Sequence, residues 1–197
     1  RKEVCATSGP KIAIRFFAGD YPSTVPTEGL SSKQLYSNGV AMGGRLGQSQ
    51  LTDKQFSFYV WAGQESNSYP LQRLKIIKGW YDQGSLQEQV FDVACSDGLP
   101  DTKNHRCADN GASVNLNDCS TDQGNSNNKS AQLATIWQDP AFDPNQRAFY
   151  YARVLENPSC RWSSWDALRN NWDRLDTVPA TLQERAWSSP IWYFPES

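Results

Sequence analysis

The chain has 197 residues, of which 38% are apolar, and its 19 basic and 21 acidic residues leave a net charge of −2. This balance excludes a disordered polyelectrolyte and a strongly basic nucleic-acid binder. No run of about 18 apolar residues is present that could span a membrane as a helix. The single histidine, His105, lies in a polar segment, so we expect neither a metal nor another cofactor to be bound by this chain. The eight tryptophans indicate packed sheets or a ligand surface.

Seven segments alternate apolar and polar residues with a period of two, which is typical of β-strands. In chain order they are residues 11–17, 54–62, 73–78, 90–95, 133–137, 147–156 and 186–193. Pro190 lies inside the last segment and predicts an edge strand or a bulge there. The pattern predicts a mainly β protein, an antiparallel β-sandwich with long ordered loops, and we expect residues 1–197 to form one such domain.

One short amphipathic helix is predicted near residues 163–176. Its start has the S-x-x-D form of a capping box at Ser163, and its end precedes Pro179. Tryptophans and leucines then share one helical stripe, which indicates that these tryptophans pack in the core: Trp165, Leu168, Trp172 and Leu175.

Two long segments predict loops rather than strands. Residues 19–50 contain several turn glycines, and residues 97–130 are rich in Asn, Asp, Ser and Gly. The second segment is too long for an ordinary connection, so it is either an ordered excursion held by a disulfide or partly mobile.

The cysteines predict two disulfides. A local Cys107–Cys119 bridge would close the polar excursion, and Cys95 and Cys160, which both lie near strand ends, could meet across the sandwich. This pairing leaves Cys5 unpaired or bonded outside the chain. Such bridges favour an exported protein, periplasmic or extracellular, whereas the alternative is a cytosolic protein with five reduced thiols.

The densest group of candidate binding residues lies between residues 147 and 162. On a strand, Phe149, Tyr151 and Arg153 share one face, and arginines beside aromatic rings can bind an anion or stack on a sugar or a base. The alternative is cross-strand packing in which Arg153 pairs with a carboxylate. The ligand-binding candidates are Arg153, Glu156, Arg161, Trp162 and Arg185, and we expect no catalytic residue and no metal ligand.

Long strings of the sequence resemble the domain-of-unknown-function 3604 family, and specifically its C-terminal third. They are YYARVLENPSCRW at 150–162, QERAWSSPIWY at 183–193 and RKEVCATSGP at 1–10. The resemblance implies an exported bacterial protein that is much longer than this chain. It also implies an upstream part, outside this chain, that is similar to the polymerase-and-histidinol-phosphatase (PHP) metal-dependent phosphoesterases and could hold a divalent metal.

Two functions remain open at this point. In the first, the chain is an accessory domain that supports or covers the upstream site, and Arg153, Arg161 or Arg185 contacts an anionic substrate. In the second, it is a carbohydrate- or surface-binding module without catalysis, in which exposed tryptophans stack on sugars, the candidates being Trp61, Trp80 and Trp162. The exposure of these rings distinguishes the two. An apolar patch facing the upstream part would instead favour domain docking.

Overall fold

Two β-sheets pack against each other in the structure, a computed structural model that describes residues 2–26, 29–47, 56–122, 124 and 130–195. The larger sheet contains β1 (Cys5–Thr7), β4 (Arg45–Gly47), β6 (Leu71–Asp82), β7 (Ser85–Cys95), β11 (Ala148–Glu156), β14 (Arg185–Ser188) and β15 (Ile191–Phe194). The smaller sheet contains β2 (Ala13–Gly19), β3 (Gly39–Ala41), β5 (Ser57–Gly63) and β10 (Gln132–Trp137). The prediction of a mainly β, antiparallel sandwich is confirmed.

Strand β11 is the centre of the larger sheet. On one side it pairs with β6, which pairs in turn with β7. On its other side β15 pairs with its first half and β14 with its second half. Strand β1 extends the sheet beyond β14, and β4 lies parallel to β15. In the smaller sheet the strands are antiparallel, in the order β10, β5, β2, β3.

Large aromatic side chains fill the space between the two sheets. Phe16 and Phe58 come from the smaller sheet and Tyr150 and Phe91 from the larger one, and all four are fully buried. The rings of Phe58 and Tyr150 lie 4.6 Å apart, centroid to centroid. Burying each such ring stabilises the fold by roughly 1.5–3 kcal/mol, so this layer holds the sandwich together.

The strand predictions agree with the structure except at the last segment. The predicted strand at 186–193 is divided at Pro190 into β14 and β15, because proline has no N–H to donate to the ladder with β11. The carbonyl oxygen of Pro190 instead accepts a hydrogen bond from the Gly43 amide at 2.9 Å. Residues 54 and 55 of another predicted strand lie outside the described residues.

Two helices are described, one unexpected and one shorter than predicted. Helix α1 (Ser32–Ser37) lies in the predicted 19–50 loop and starts at a capping box between Ser31 and Gln34. Helix α2 (Trp162–Asn170) has Arg161 as its N-cap and ends at Asn171, which takes a left-handed conformation with φ 54°. Neither helix is long and apolar enough to cross a membrane.

The predicted boundaries and stripe of α2 are therefore wrong in part. The N-cap is Arg161 rather than Ser163, and no side-chain hydrogen bond caps the helix, so the predicted capping box does not form. The helix ends before the second half of the stripe, so Trp172 and Leu175 are 68% and 58% exposed rather than buried in the core. Leu168 is also exposed.

The four predicted cysteines form two disulfides, but the predicted pairing is wrong. The bonds are Cys95–Cys107 and Cys119–Cys160, and Cys5 is free and exposed. The Cys107 amide donates to the Asp92 carboxylate at 2.9 Å, and this contact brings the chain back onto β7, beside Cys95.

Short ladders order much of the excursion at 97–130 and its surroundings. Within it β8 (Ser113–Val114) pairs with β9 (Thr121–Asp122), and outside it β12 (Ser159–Cys160) pairs with β13 (Thr181–Leu182). Since Cys119 bonds to Cys160 in β12, the excursion is attached to the segment that begins α2. The two disulfides thus fix it to two places, β7 and β12.

Candidate functional site

The outer face of the larger sheet carries rings and cations in rows. Alternate residues of a strand point to opposite sides, so the residues between the buried ones point away from the core. The strand register places them side by side. One row is Asp92, Lys75, Arg153, Trp187 and Ala6, and another is Glu88, Gly79, Phe149, Trp192 and Arg45. One end of the face is therefore basic and the other aromatic.

The aromatic end forms an apolar patch, which we define as Tyr81, Leu86, Phe149, Trp192 and Phe194. These residues line a cleft of about 390 Å³. Tyr81 is 62% exposed, Leu86 84% and Trp192 42%, so the patch is open to solvent. An exposed cluster of large apolar side chains is a candidate interaction surface.

Gly79 makes the patch flat. A Cβ atom at Gly79 would lie 2.2 Å from Cζ of Phe149, so the phenyl ring covers the glycine directly. The Trp192 ring lies beside it, with centroids 5.3 Å apart. Lys2 borders the patch, because it lines a second cleft together with Arg45, Trp192 and Phe194.

The other end of the face forms the basic region, which we define as Arg73, Lys75, Arg153 and Arg185. Its one buried carboxylate, Asp92, is shared. Asp92 lies 3.1 Å from Nη1 of Arg73, 3.4 Å from Nζ of Lys75 and 3.8 Å from Nη1 of Arg106. Burial lowers the pKa of Lys75, Asp92 opposes this, and Arg73 and Arg106 add to it. Three cations around one carboxylate leave an excess of positive charge.

Arg153 has no carboxylate partner among the described residues. Its Nη2 donates to the Tyr151 hydroxyl at 3.0 Å, and its guanidinium lies 5.8 Å from the centroid of that ring. Its buried Nε has no hydrogen-bond partner in the described part of the chain. Arg185 uses its Nε to donate to the carbonyl oxygen of Gln183 at 3.1 Å. The structure therefore brings these two predicted candidates together on one face.

Glu156, another predicted candidate, points away from this face and is fully buried. Its Oε2 accepts a hydrogen bond from the Ser68 hydroxyl at 2.6 Å, and its Oε1 has no partner within the described residues. Burial raises the pKa of Glu156 to about 7; hydrogen bonds from the Ser68 side chain and the Tyr69 backbone oppose this shift, and the carboxylates of Glu184 and Glu65 add to it. A ligand on the outer face cannot reach it without rearrangement of the fold.

Glu156 adjoins a buried amide network that the sequence did not indicate. Gln183 donates to the carbonyl oxygen of Glu156 and to the side chain of Gln72, both at 2.9 Å. Gln72 donates in turn to Asn110 at 3.2 Å, and Asn110 donates to Asn157 at 2.8 Å. These residues attach the excursion to the end of β11, a structural role that polar residues in loop-like sequence do not reveal.

Arg161 and Trp162 lie at the start of α2 rather than on the sheet face. Arg161 donates from Nε to the carbonyl oxygen of Pro179 at 3.0 Å, and Trp162 is 67% exposed. The other two tryptophans proposed for sugar stacking are half-buried. Trp61 lies on β5 under the guanidinium of Arg15, and Trp80 on β6 packs against the buried core. The three rings belong to three elements and form no shared stacking platform.

A buried charged group lies at one end of the sandwich interior. Nζ of Lys78 is 2.6 Å from Oδ2 of Asp139, and the Tyr150 hydroxyl donates to the same oxygen at 2.8 Å. Burial, together with Asp139, raises the pKa of Tyr150. Lys78 also donates to the carbonyl oxygen of Ala141, so the group holds a turn in place. Among the described residues, no three or more His, Cys, Asp or Glu side chains could together hold a metal ion.

The packed sheets define a β-sandwich domain whose larger sheet carries the apolar patch and the basic region on its outer face. The chain belongs to the DUF3604 family, described as a protein of unknown function, whose model matches residues 1–195. Neither the curated proteins nor the solved structures include a significant match to the chain.

Proposed function

We propose that this chain is an accessory domain of a larger exported protein of the DUF3604 family and that its apolar patch packs against the upstream part. The family resemblance implies that upstream part and its likeness to PHP metal-dependent hydrolases. The two disulfides support export, since such bonds persist in oxidising compartments. In this role the domain supports or covers the upstream site and performs no chemistry itself.

The position of Lys2 beside the apolar patch is the main observation that supports the proposal. Lys2 shares a cleft with Trp192 and Phe194 of the patch, so polypeptide preceding it enters next to exposed apolar rings. The backbone of Lys2 lies directly against Gly43, where a Cβ atom would be only 2.2 Å from the Lys2 carbonyl oxygen. Covering such rings removes apolar surface from water, and each Å² buried is favourable by roughly 25 cal/mol of free energy. This burial favours docking of the adjoining domain.

Hydroxyl-radical footprinting tests this docking by comparing the 197-residue chain with an N-terminally extended family polypeptide. We expect oxidation of Tyr81 and Trp192 to be several-fold slower in the longer polypeptide. Trp162 and Trp172, which are exposed near α2, serve as internal controls and should react at the same rate in both. Equal rates at Tyr81 and Trp192, or protection of Trp162 and Trp172 instead, would contradict the proposal.

A matched pair of variants tests the patch directly. Leu86→Glu places a charge in the patch, and Leu99→Glu places the same charge in the excursion, where Leu99 is 89% exposed. In the longer polypeptide, Leu86→Glu should restore fast oxidation of Trp192, whereas Leu99→Glu should not. A phosphodiesterase assay with manganese or zinc completes the test, because turnover by the 197-residue chain alone would contradict an accessory role.

A further inference from the structure

We propose that the basic region is a binding site for acidic glycans, in which Arg153, Lys75 and Arg185 bind a uronate carboxylate and the Trp187 and Tyr151 rings contact the sugar. This site is separate from the apolar patch and does not depend on the docking proposed above. It lies on the outer face of the same sheet, in the half where β6, β11 and β14 are neighbouring strands.

Positive charges outnumber negative charges in this region. Lys75 on β6 lies directly opposite Arg153 on β11, and like charges facing each other across strands destabilise a sheet. Asp92 is already shared by three cations and contacts neither Arg153 nor Arg185 as an ion pair. A bound carboxylate would therefore relieve repulsion between Lys75 and Arg153.

The guanidinium of Arg153 suits a carboxylate. Arginine has five N–H donors in a planar fork, and Tyr151 accepts from Nη2. That hydrogen bond and the Tyr151 ring hold the guanidinium in one orientation, so less side-chain freedom is lost when a ligand binds. Arg185 lies opposite Leu155, two residues along β11, and brings a second guanidinium to the same surface.

The rings beside these cations favour a sugar over other anions. Trp187 is directly opposite Arg153, Tyr151 lies two residues before Arg153 on β11, and both residues are half-buried. A uronate sugar offers a C–H face to an aromatic ring and a carboxylate to a guanidinium. A nucleic-acid partner would call for a strongly basic chain, whereas the net charge here is −2.

Calorimetric titration of the 197-residue chain with tetragalacturonate, and in parallel with neutral maltotetraose, tests the site. We expect saturable binding of the uronate that weakens as sodium chloride is added, and no measurable binding of the neutral chain. Arg153→Gln should weaken uronate binding about tenfold or more. Arg153→Lys, which keeps the charge but loses the planar fork, should weaken it less.

Arg169→Gln provides the matched control, because Arg169 is exposed on α2 and stacks on Trp165, away from the sheet face. Thermal melting checks that every variant is folded. Equal binding of uronate and maltotetraose, unchanged affinity in both Arg153→Gln and Arg185→Gln, or binding of duplex DNA in preference to the uronate would overturn the proposal. So would the absence of uronate binding by the folded wild-type chain.

Discussion

The outer face of the smaller sheet is covered by its own chain, whereas the outer face of the larger sheet keeps rings and cations at the surface. On the smaller sheet, Phe17 and Tyr59 are buried beneath the segment that carries α1, which contributes Tyr21, Leu30 and Leu35. On the larger sheet, Trp192 and Tyr81 remain exposed. The same architecture is thus completed internally on one side and left open to other molecules on the other.

The covered face behaves as a second small core. The Tyr21 hydroxyl donates to the Leu35 carbonyl oxygen at 2.8 Å, so its polar end is satisfied although the ring is buried. Burial raises the pKa of both Tyr21 and Tyr59, and Arg15 opposes the shift at Tyr59. By contrast, the buried charge on the open face, Asp92, is held by cations that are themselves partly exposed. The covered face thus buries tyrosine hydroxyls, whereas the open face buries a carboxylate among cations.

Removing the Asp92 charge should produce the largest effect on the open face. Asp92→Asn leaves three cations without their common carboxylate, and loss of one partner of a buried ion pair typically costs about 3–5 kcal/mol. We expect that decrease in the free energy of unfolding, measured with urea. Asp122→Asn, at an exposed carboxylate in β9, is the control and should change it by less than about 0.5 kcal/mol. If Asp92→Asn had the same free energy of unfolding as the wild type, the stability of the open face would not depend on this charge.

Truncating one leucine on each side sharpens the comparison. Leu35 is 1% exposed beneath the covered face, and Leu86 is 84% exposed in the apolar patch. Leu35→Ala should cost about 3 kcal/mol through lost burial and a cavity, whereas Leu86→Ala should cost less than about 0.5 kcal/mol. Chemical denaturation of both variants measures the difference. Equal losses would contradict the distinction between covered and open faces.

Glu156, on the side of β11 that faces away from the open face, should make the stability of the fold depend on pH. Burial raises the pKa of Glu156 to about 7 from an ordinary value of 4.5, so the folded state binds its proton more tightly than the unfolded state. Its contribution to stability is complete below about pH 4.5 and is lost as the pH rises through about 7. The loss amounts to at most about 3 kcal/mol.

Comparison of variants isolates this contribution. Glu156→Gln should remove that part of the pH dependence and unfold less readily than the wild type at pH 8, because no charge then has to be buried. Glu88→Gln, at an exposed position of the open face, should leave the pH dependence unchanged. Parallel pH profiles for the wild type and Glu156→Gln would contradict the assignment.

The strands could be predicted from the sequence because burial on one face imposes a period of two, as along Tyr150, Ala152 and Val154 of β11. Helix α1 could not, because Leu35 is its one buried residue and leaves no apolar stripe, although the Ser31–Gln34 capping box was a usable signal. The end of α2 could not be predicted either, because the left-handed turn at Asn171 interrupts an apolar stripe that continues in the sequence.

The candidate site could be predicted only in part. Local spacing placed Phe149, Tyr151 and Arg153 on one side of a strand, and this side is the outer face. The sequence alone does not predict that Lys75 and Trp187 join this face, because they come from distant parts of the chain and lie beside Arg153 only through the strand register. Glu156 belongs to the same segment, yet alternation along β11 turns it inward.

The two disulfides follow one another along the chain instead of one enclosing the other. Cys95–Cys107 closes one loop before Cys119–Cys160 closes the next. A protease that cuts once between residues 108 and 118 therefore divides the polypeptide into two pieces with no covalent link, which separate in denaturant without a reducing agent. A cut between residues 120 and 159 yields pieces that remain joined until the sulfur bridge is reduced.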